Sequence, residues 1–334
     1  MKFKKLSALL TVGALASVSM LAGCGSTDDG TTTSDTSTNS DAKYTIGLCQ
    51  TVQHDALDAA TNGFQDKLKE LLGDDVSFNL QNAAGDSATC STIANQFVSS
   101  GVDLIFANAT AALQAAAAAT DTIPIVGTSI TDYGTALDIT DWTGTTGRNI
   151  TGSSDLAPLE QQAAMFKELL PDAQNIGLVY CSSESNSKYQ VDIVQSELEA
   201  LGYTCTQYSF ADSNDIVSII TSACDASDAL YIPTDNTAAA NTEIINNVAL
   251  PAGVPIIAGE EGICEGCGIA TLSIDYYSLG EKAGEMAYEI LVNGADPATM
   301  EIEYADGLTK KYVADRCEQL GITVPDDYVE ITAE

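Results

Sequence analysis

Asn108-Ala109-Thr110 stands directly before an alanine-rich run, and that placement suggests a chemistry. Backbone N–H groups that open a helix, with the Thr110 hydroxyl beside them, can receive a carboxylate. Thr128 and Ser129, at the expected end of the next strand, add hydroxyl donors. Farther along, Ser183-Glu184-Ser185-Asn186-Ser187 and Asp235-Asn236 supply acceptors, and Asp235 is the expected partner for an ammonium. Glu260 is a further acceptor, while Gln50 and His54 belong to the first loop. Donors in one half of the chain and acceptors in the other suit a zwitterion, that is, a free amino acid. Thr110, Asp235 and Asn236 are also good helix caps, which is the structural alternative for each. Walls for an aromatic ring would come from Tyr133, Tyr276, Tyr277 or Trp142, residue types that equally fill cores and hinges.

Composition removes other chemistries. The chain of 334 residues holds 13 basic against 47 acidic residues, a formal net charge of −34. Such a surface repels nucleic acid and does not dock on anionic lipid by a basic patch. The only arginines are Arg148 and Arg316, too few for a clamp of several guanidiniums on a polyphosphate. A single histidine, His54, rules out mechanisms that need two imidazoles, most zinc-hydrolase sites among them. There is no G-x-S-x-G elbow and no phosphate loop. The expectation is a non-enzymatic chain that needs no cofactor and no metal.

These residues must be held by a scaffold, and its outline is legible. Short apolar strands alternate with helical patterns, the signature of parallel α/β architecture. Ile46-Gly47-Leu48 recurs as Ile176-Gly177-Leu178, the run from Asp103 is echoed from Asp228, and Ile123-Pro-Ile-Val126 is echoed by Val254-Pro-Ile-Ile257. The three matches keep one order at nearly one offset, so the chain is a duplication in which each half reads β-α-β-α-β-α-β. Helices are expected near 55–72, 87–100 and 111–120, then near 187–201, 214–226 and 238–248, with two more at 157–170 and 279–292. The chain should cross between halves at 151–155 and again at 273–277. The expected fold is α/β: two doubly wound parallel-sheet lobes joined by a hinge, the first from residues 44–155 plus 271–300, the second from 156–270 plus 301–334. Ligands of open parallel sheets bind outside the carboxyl ends of the strands. Attention therefore falls on loops 50–55, 108–110, 128–132, 181–187, 233–236 and 259–262.

The amino terminus is an address. A basic start through Lys5 and an apolar run to Leu21 have signal-peptide length, and Leu21-Ala22-Gly23-Cys24 resembles a bacterial lipobox, with Cys24 the lipidated residue. Residues 1–23 would be removed, leaving 10 basic against 47 acidic groups, a balance of −37. Residues 24–43 hold almost nothing apolar and read as a disordered tether. Eight cysteines follow, and Cys264-Glu-Gly-Cys267 is their only close pair, read as a local disulfide or free thiols. Cys181 ends one strand and Cys205 begins its neighbour, so these two are expected not to pair.

The stretches IGLCQTVQHDALDAATNGFQDKL (46–68), DLIFANATAALQAAAAATDTIPIVGTSITD (103–132), NIGLVYCSSESNS (175–187), ALYIPTDNT (229–237) and SIDYYSLGEKAGEMAYEIL (273–291) resemble, in order, the substrate-binding lipoproteins of ABC transporters in the group with tryptophan- and tyrosine-type binders. The resemblance spans nearly all of residues 44–325. It implies a type I periplasmic-binding-protein fold whose lobes close on a small solute, an aromatic amino acid in characterised relatives. It further implies an ABC permease as partner, a lipid anchor on the outer face of the membrane, and a monomer. A ligand-sensing receptor and a sugar- or nucleoside-binding transport protein of the same fold remain alternatives.

Overall fold

The computed structural model describes residues 42–332, so Cys24, the signal segment and nearly all of the tether lie outside the described residues. The chain opens with β1 (Tyr44–Gln50), α1 (Asp55–Leu72), β2 (Val76–Asn82), α2 (Ser87–Ser100), β3 (Leu104–Asn108), α3 (Thr110–Ala119), β4 (Ile125–Ile130), a short α4 (Tyr133–Ala136) and β5 (Ile150–Ser154). After α5 (Leu159–Leu169) the pattern begins again with β6 (Asn175–Cys181), α6 (Ser185–Ala200), β7 (Thr204–Phe210), α7 (Ile216–Ala226) and β8 (Ala229–Ile232). There follow α8 (Asn236–Ala239), α9 (Thr242–Ala252), β9 (Ile256–Ala258), α10 (Glu261–Cys267) and β10 (Ala270–Ser273). The last elements are α11 (Tyr276–Asn293), β11 (Glu303–Tyr304), β12 (Thr309–Tyr312), α12 (Ala314–Leu320) and β13 (Val329–Glu330).

Two sheets result. Their orders are β11-β5-β4-β3-β1-β2 and β13-β12-β10-β9-β8-β6-β7, with parallel pairing throughout except between β10 and β12. The central strands carry helices on both faces and read as unbroken apolar runs for that reason: Ile46, Leu48, Leu104 and Phe106 have no exposed surface. The repeated Ile-Gly-Leu has a packing cause. A β-carbon on Gly47 would lie 2.5 Å from the Phe97 ring, and one on Gly177 would lie 2.7 Å from the tip of Leu230, so in both copies a larger residue would force a neighbouring side chain to shift. The repeated aspartates also do one job. Asp103 accepts the N–H of Thr45, and Asp228 accepts those of Gln174 and Asn175, pinning the start of each first strand.

The chain changes sheets three times, after β5, after β10 and after β11. β10 pairs with β9 and β12, so residues 271–273, expected in the first lobe, belong to the second sheet. β11 pairs with β5, which puts Glu303 and Tyr304, expected in the second lobe, on the first sheet. Two-residue pairings of this kind leave no pattern to read. α11 returns to the first lobe and packs Leu279, Ala283 and Ala287 against Ala60, Phe64 and Leu68 of α1. At the crossovers, the Tyr276 hydroxyl donates to Asp155 Oδ2 at 3.0 Å and Thr131 donates to Oδ1 at 3.1 Å. Burial raises the Asp155 carboxyl pKa above its usual range, against the lowering effect of these two hydroxyls.

The helix expected at 238–248 is two helices. Asn241 breaks it with φ −134°, and its side-chain amide takes the Thr237 carbonyl at 2.7 Å. All eight described cysteines are unpaired. Cys205 sits opposite Ile176 and Cys181 opposite Phe210, which separates Cys181 from Cys205 along the strands.

Candidate functional site

In both sheets the second strand lies outside the first, and the third lies on its other side. The loops after β1 and β3, and after β6 and β8, therefore leave in opposite directions and open a crevice. The two crevices face each other across one cavity of about 360 Å³. The first lobe contributes Thr51, Val52, Thr110 and Ala111; the second contributes Ser183 to Asn186, Asn236 and Thr237. Ala84 to Ser87 after β2 and Ala211 to Ser213 after β7 extend the wall outward, with Gln114, Ala240 and Asn241. The volume falls at the lower end of the roughly 300–1,000 Å³ usual for small-molecule sites.

The first-lobe wall is held from behind by a buried polar chain. Asn108 Nδ2 donates to the Leu57 carbonyl and to Thr61 Oγ1, and Thr61 donates to Gln50 Oε1 at 2.7 Å. Gln50 Nε2 in turn reaches Asp58 and the Val52 carbonyl. Thr51 Oγ1 donates to the Asn108 carbonyl and accepts from the Ala112 N–H, coupling the loops after β1 and β3. Ala109 is the residue before α3, at φ 78° and ψ 162°. Thr110 is therefore the first residue of the helix, not its cap, and its own N–H and that of Ala111 find no acceptor among the described residues. Thr128 is closed off by a 3.0 Å bond to Ser153.

The second-lobe wall is organised by carboxylates. Glu184 accepts from Asn236 N and Nδ2, Thr237 N and Oγ1, and Asn186 Nδ2 while still lining the cavity. Asp235 lies behind it, 1% exposed, with Oδ2 accepting from Cys181 N at 2.7 Å and Oδ1 from Ala238 N at 2.8 Å. Asp235 is buried outside the cavity lining, so the expectation that it meets a ligand ammonium is corrected: its two oxygens accept from backbone and tie the end of β6 to the start of α8. Burial first, and the Glu184 charge second, push its carboxyl up to about 8. Glu260 is likewise a cap, accepting from Gly262 and Ile263, and burial raises its pKa while nearby His54 opposes the rise. His54 bridges the lobes: Nε2 lies 3.3 Å from Asn236 Oδ1, which can only accept, so the ring donates. It also lines a second, polar cavity of about 470 Å³ on that side of the bridge.

Of the residues read from the sequence, Thr110, Ser183, Glu184, Ser185, Asn186 and Asn236 come together on the cavity. Gln50, Asn108, Ala109, Thr128, Ser129, Ser187, Asp235 and Glu260 are buried outside its lining. The aromatic candidates are elsewhere. Tyr133 stacks on Trp142 with centroids 6.4 Å apart, Tyr276 serves the crossover, and Tyr277 meets Asp66 on the surface. Sequence reasoning passed over the loops after β2 and β7. The signal that finds them is the strand order, because the outer strand flanks the switch point in each lobe.

The family model described as ABC transporter substrate binding protein matches residues 45–334. A tyrosine-binding protein of Clostridioides difficile (strain R20291) is 38% identical over 295 residues, 87% of this chain and 85% of that one. The crystal structure of an ABC domain in complex with L-Trp from Streptococcus pneumonia superposes with a TM-score of 0.83 at 31% identity, covering 87% of this chain and all of that one. A ligand-free, open structure of a substrate-binding protein with adhesive properties from Clostridium difficile, 33% identical, covers 87% of this chain and all of that one but reaches only 0.66. At near-equal identity, the L-Trp complex superposes on this chain more closely than the open structure does. With its doubled parallel sheets, facing switch points and match along nearly the whole described chain, this protein belongs to the substrate-binding proteins of ABC transporters and has the type I periplasmic-binding fold.

Proposed function

We propose that this chain captures an aromatic L-amino acid between its lobes and passes it to an ABC permease without altering it chemically. One observation carries the reading: a single cavity has unpaired N–H donors at Thr110 and Ala111 on one side and the Glu184 carboxylate on the other. A carboxylate bound at the first and an ammonium at the second would place a zwitterion across the cleft, and only the closed arrangement satisfies both ends. Small side chains at Val52, Ala84, Ala111, Ala211 and Ala240 leave room for a ring. The tyrosine and L-Trp named for the two relatives support the aromatic class. Glu184 replaces Asp235 as the ammonium partner, because it is the carboxylate on the cavity surface.

Isothermal titration of the purified protein with L-tyrosine, L-tryptophan, L-leucine and glucose tests the reading. Binding of an aromatic amino acid at least about tenfold tighter than the others, a gap of about 1.4 kcal/mol, is expected. Preference for glucose would defeat it. The protein is further proposed to act as a monomer held on the outer face of the membrane through lipid on Cys24. Cys24→Ser should move it from the membrane fraction to the medium, and unchanged retention would reject the anchor.

A further inference from the structure

We infer that Ala109 and Ser129 are positioning residues, held in strained backbone so that the first lobe presents its ligand donors before the ligand arrives. The inference rests on the ligand reading above. Among the described residues, four that are not glycine have positive φ: Ala84 at 53°, Ala109 at 78°, Ser129 at 56° and Asp138 at 53°. All four belong to the first lobe, and three stand at or just beyond the carboxyl ends of β2, β3 and β4, the edge that faces the cleft. The second lobe makes its positive-φ turns with glycine alone, at Gly202, Gly253 and Gly321.

Ala109 and Ser129 are neighbours. The Ala109 N–H donates to the Thr128 carbonyl at 3.0 Å, and the β4–β5 register shifts between Gly127 and Ile130. Ala109 is 1% exposed, in a region of backbone space that glycine alone occupies without penalty. Ser129 is 6% exposed, and its hydroxyl is buried with no hydrogen-bond partner among the described residues. A buried hydroxyl without a partner is unfavourable, as is each strained backbone pair. Ala109 directly precedes the unpaired Thr110 and Ala111 N–H groups, and donors fixed in advance spare a ligand carboxylate the entropy of ordering them.

Ala109→Gly separates positioning from packing. Glycine adopts φ 78° without strain but also explores other conformations. The variant should melt at or above the wild-type temperature and bind L-tyrosine or L-tryptophan at least about fivefold more weakly, a difference well within titration calorimetry. Ser129→Gly relaxes the second strained residue in the same way, so it too should weaken binding without lowering the melting temperature. Binding less than fivefold weaker in Ala109→Gly would overturn the inference, and so would weaker binding together with a lower melting temperature, since Ala109 would then be a packing residue. If wild-type protein binds neither amino acid, the ligand reading fails and this inference fails with it. If wild type binds and both variants match it, only this inference fails.

Discussion

The two lobes share a strand order but differ in the polar groups they place at the rims that face each other. The first lobe leaves backbone N–H groups and the Ser129 hydroxyl unpaired near the cleft and bends non-glycine residues into positive φ. The second buries Asp235 and Glu260, satisfies both of each carboxylate's oxygens with backbone N–H groups, and confines positive φ to glycine. Duplication preserved the scaffold, because Gly47 and Gly177 and the paired Asp103 and Asp228 do the same work in each half. It did not preserve the chemistry of the rims. One rim became a set of waiting donors and the other a set of internally committed acceptors, with Glu184 alone both committed and on the cavity. A ligand carrying both charges complements this asymmetry better than either lobe complements itself.

Replacing the charge at that point should have the largest effect. Glu184→Gln keeps an acceptor for α8 but removes the partner of the proposed ammonium, so amino-acid binding should weaken by about 2–5 kcal/mol. Titration calorimetry would measure it, and near-native affinity would mean that the second lobe offers no charge to the ligand.

Asp235→Ala draws the contrast within one loop. It strands the N–H groups of Cys181 and Ala238 in a buried site, at about 1–3 kcal/mol for each stranded group. Urea unfolding should show that loss. Affinity, measured on protein still folded, should change far less than in Glu184→Gln. The opposite ranking would restore Asp235 as the ligand's partner.

The same carboxyl sets a pH dependence. Its folded pKa is raised from 3.8 to about 8, so between those values the folded state holds a proton that the unfolded chain has released. The stabilisation is present in full below the lower value and is lost as pH rises through the upper one. Burial of Glu260 and Asp155 acts in the same direction. The melting temperature should fall from pH 5 to pH 8, and Asp235→Asn, which has no proton to lose, should flatten the slope. A wild-type curve that rises across this window would contradict the assignment.

His54→Ala is the mildest test. It removes the 3.3 Å bond between lobes and should weaken ligand binding by about 1 kcal/mol, the net worth of one hydrogen bond. A larger loss would make His54 a ligand contact and not a latch between lobes.

Much of this was legible in the chain. The helices at 55–72 and 87–100 match their expected bounds, since each has a cap-and-glycine frame or a strong apolar periodicity. The doubled order of strands followed from three short matches. The donors at Thr110 and the acceptors at 183–186 were visible as residue types before helices. The roles of Glu184 and Asp235 were not, because both are carboxylates at a helix start, and which of them reaches the cavity depends on the β6 and β8 ends standing side by side. The walls after β2 and β7 were missed because their small, polar residues look like any solvated loop.

What the sequence determined by itself is what repeats along it: apolar strands, amphipathic helices, the duplication, and the poverty of cations that leaves backbone N–H groups as the natural anion donors. These follow from local periodicity and residue chemistry, which need no neighbour. What only the tertiary structure decided is which polar groups end up without partners. Whether Asp235 or Glu184 is satisfied depends on residues 52 to 54 positions away in sequence, and the Ser129 hydroxyl finds no partner among the described residues. Hydrogen-bond satisfaction is a property of the packed whole, and at the cavity it leaves the Thr110 and Ala111 N–H groups without acceptors on one lobe while gathering donors onto Glu184 on the other.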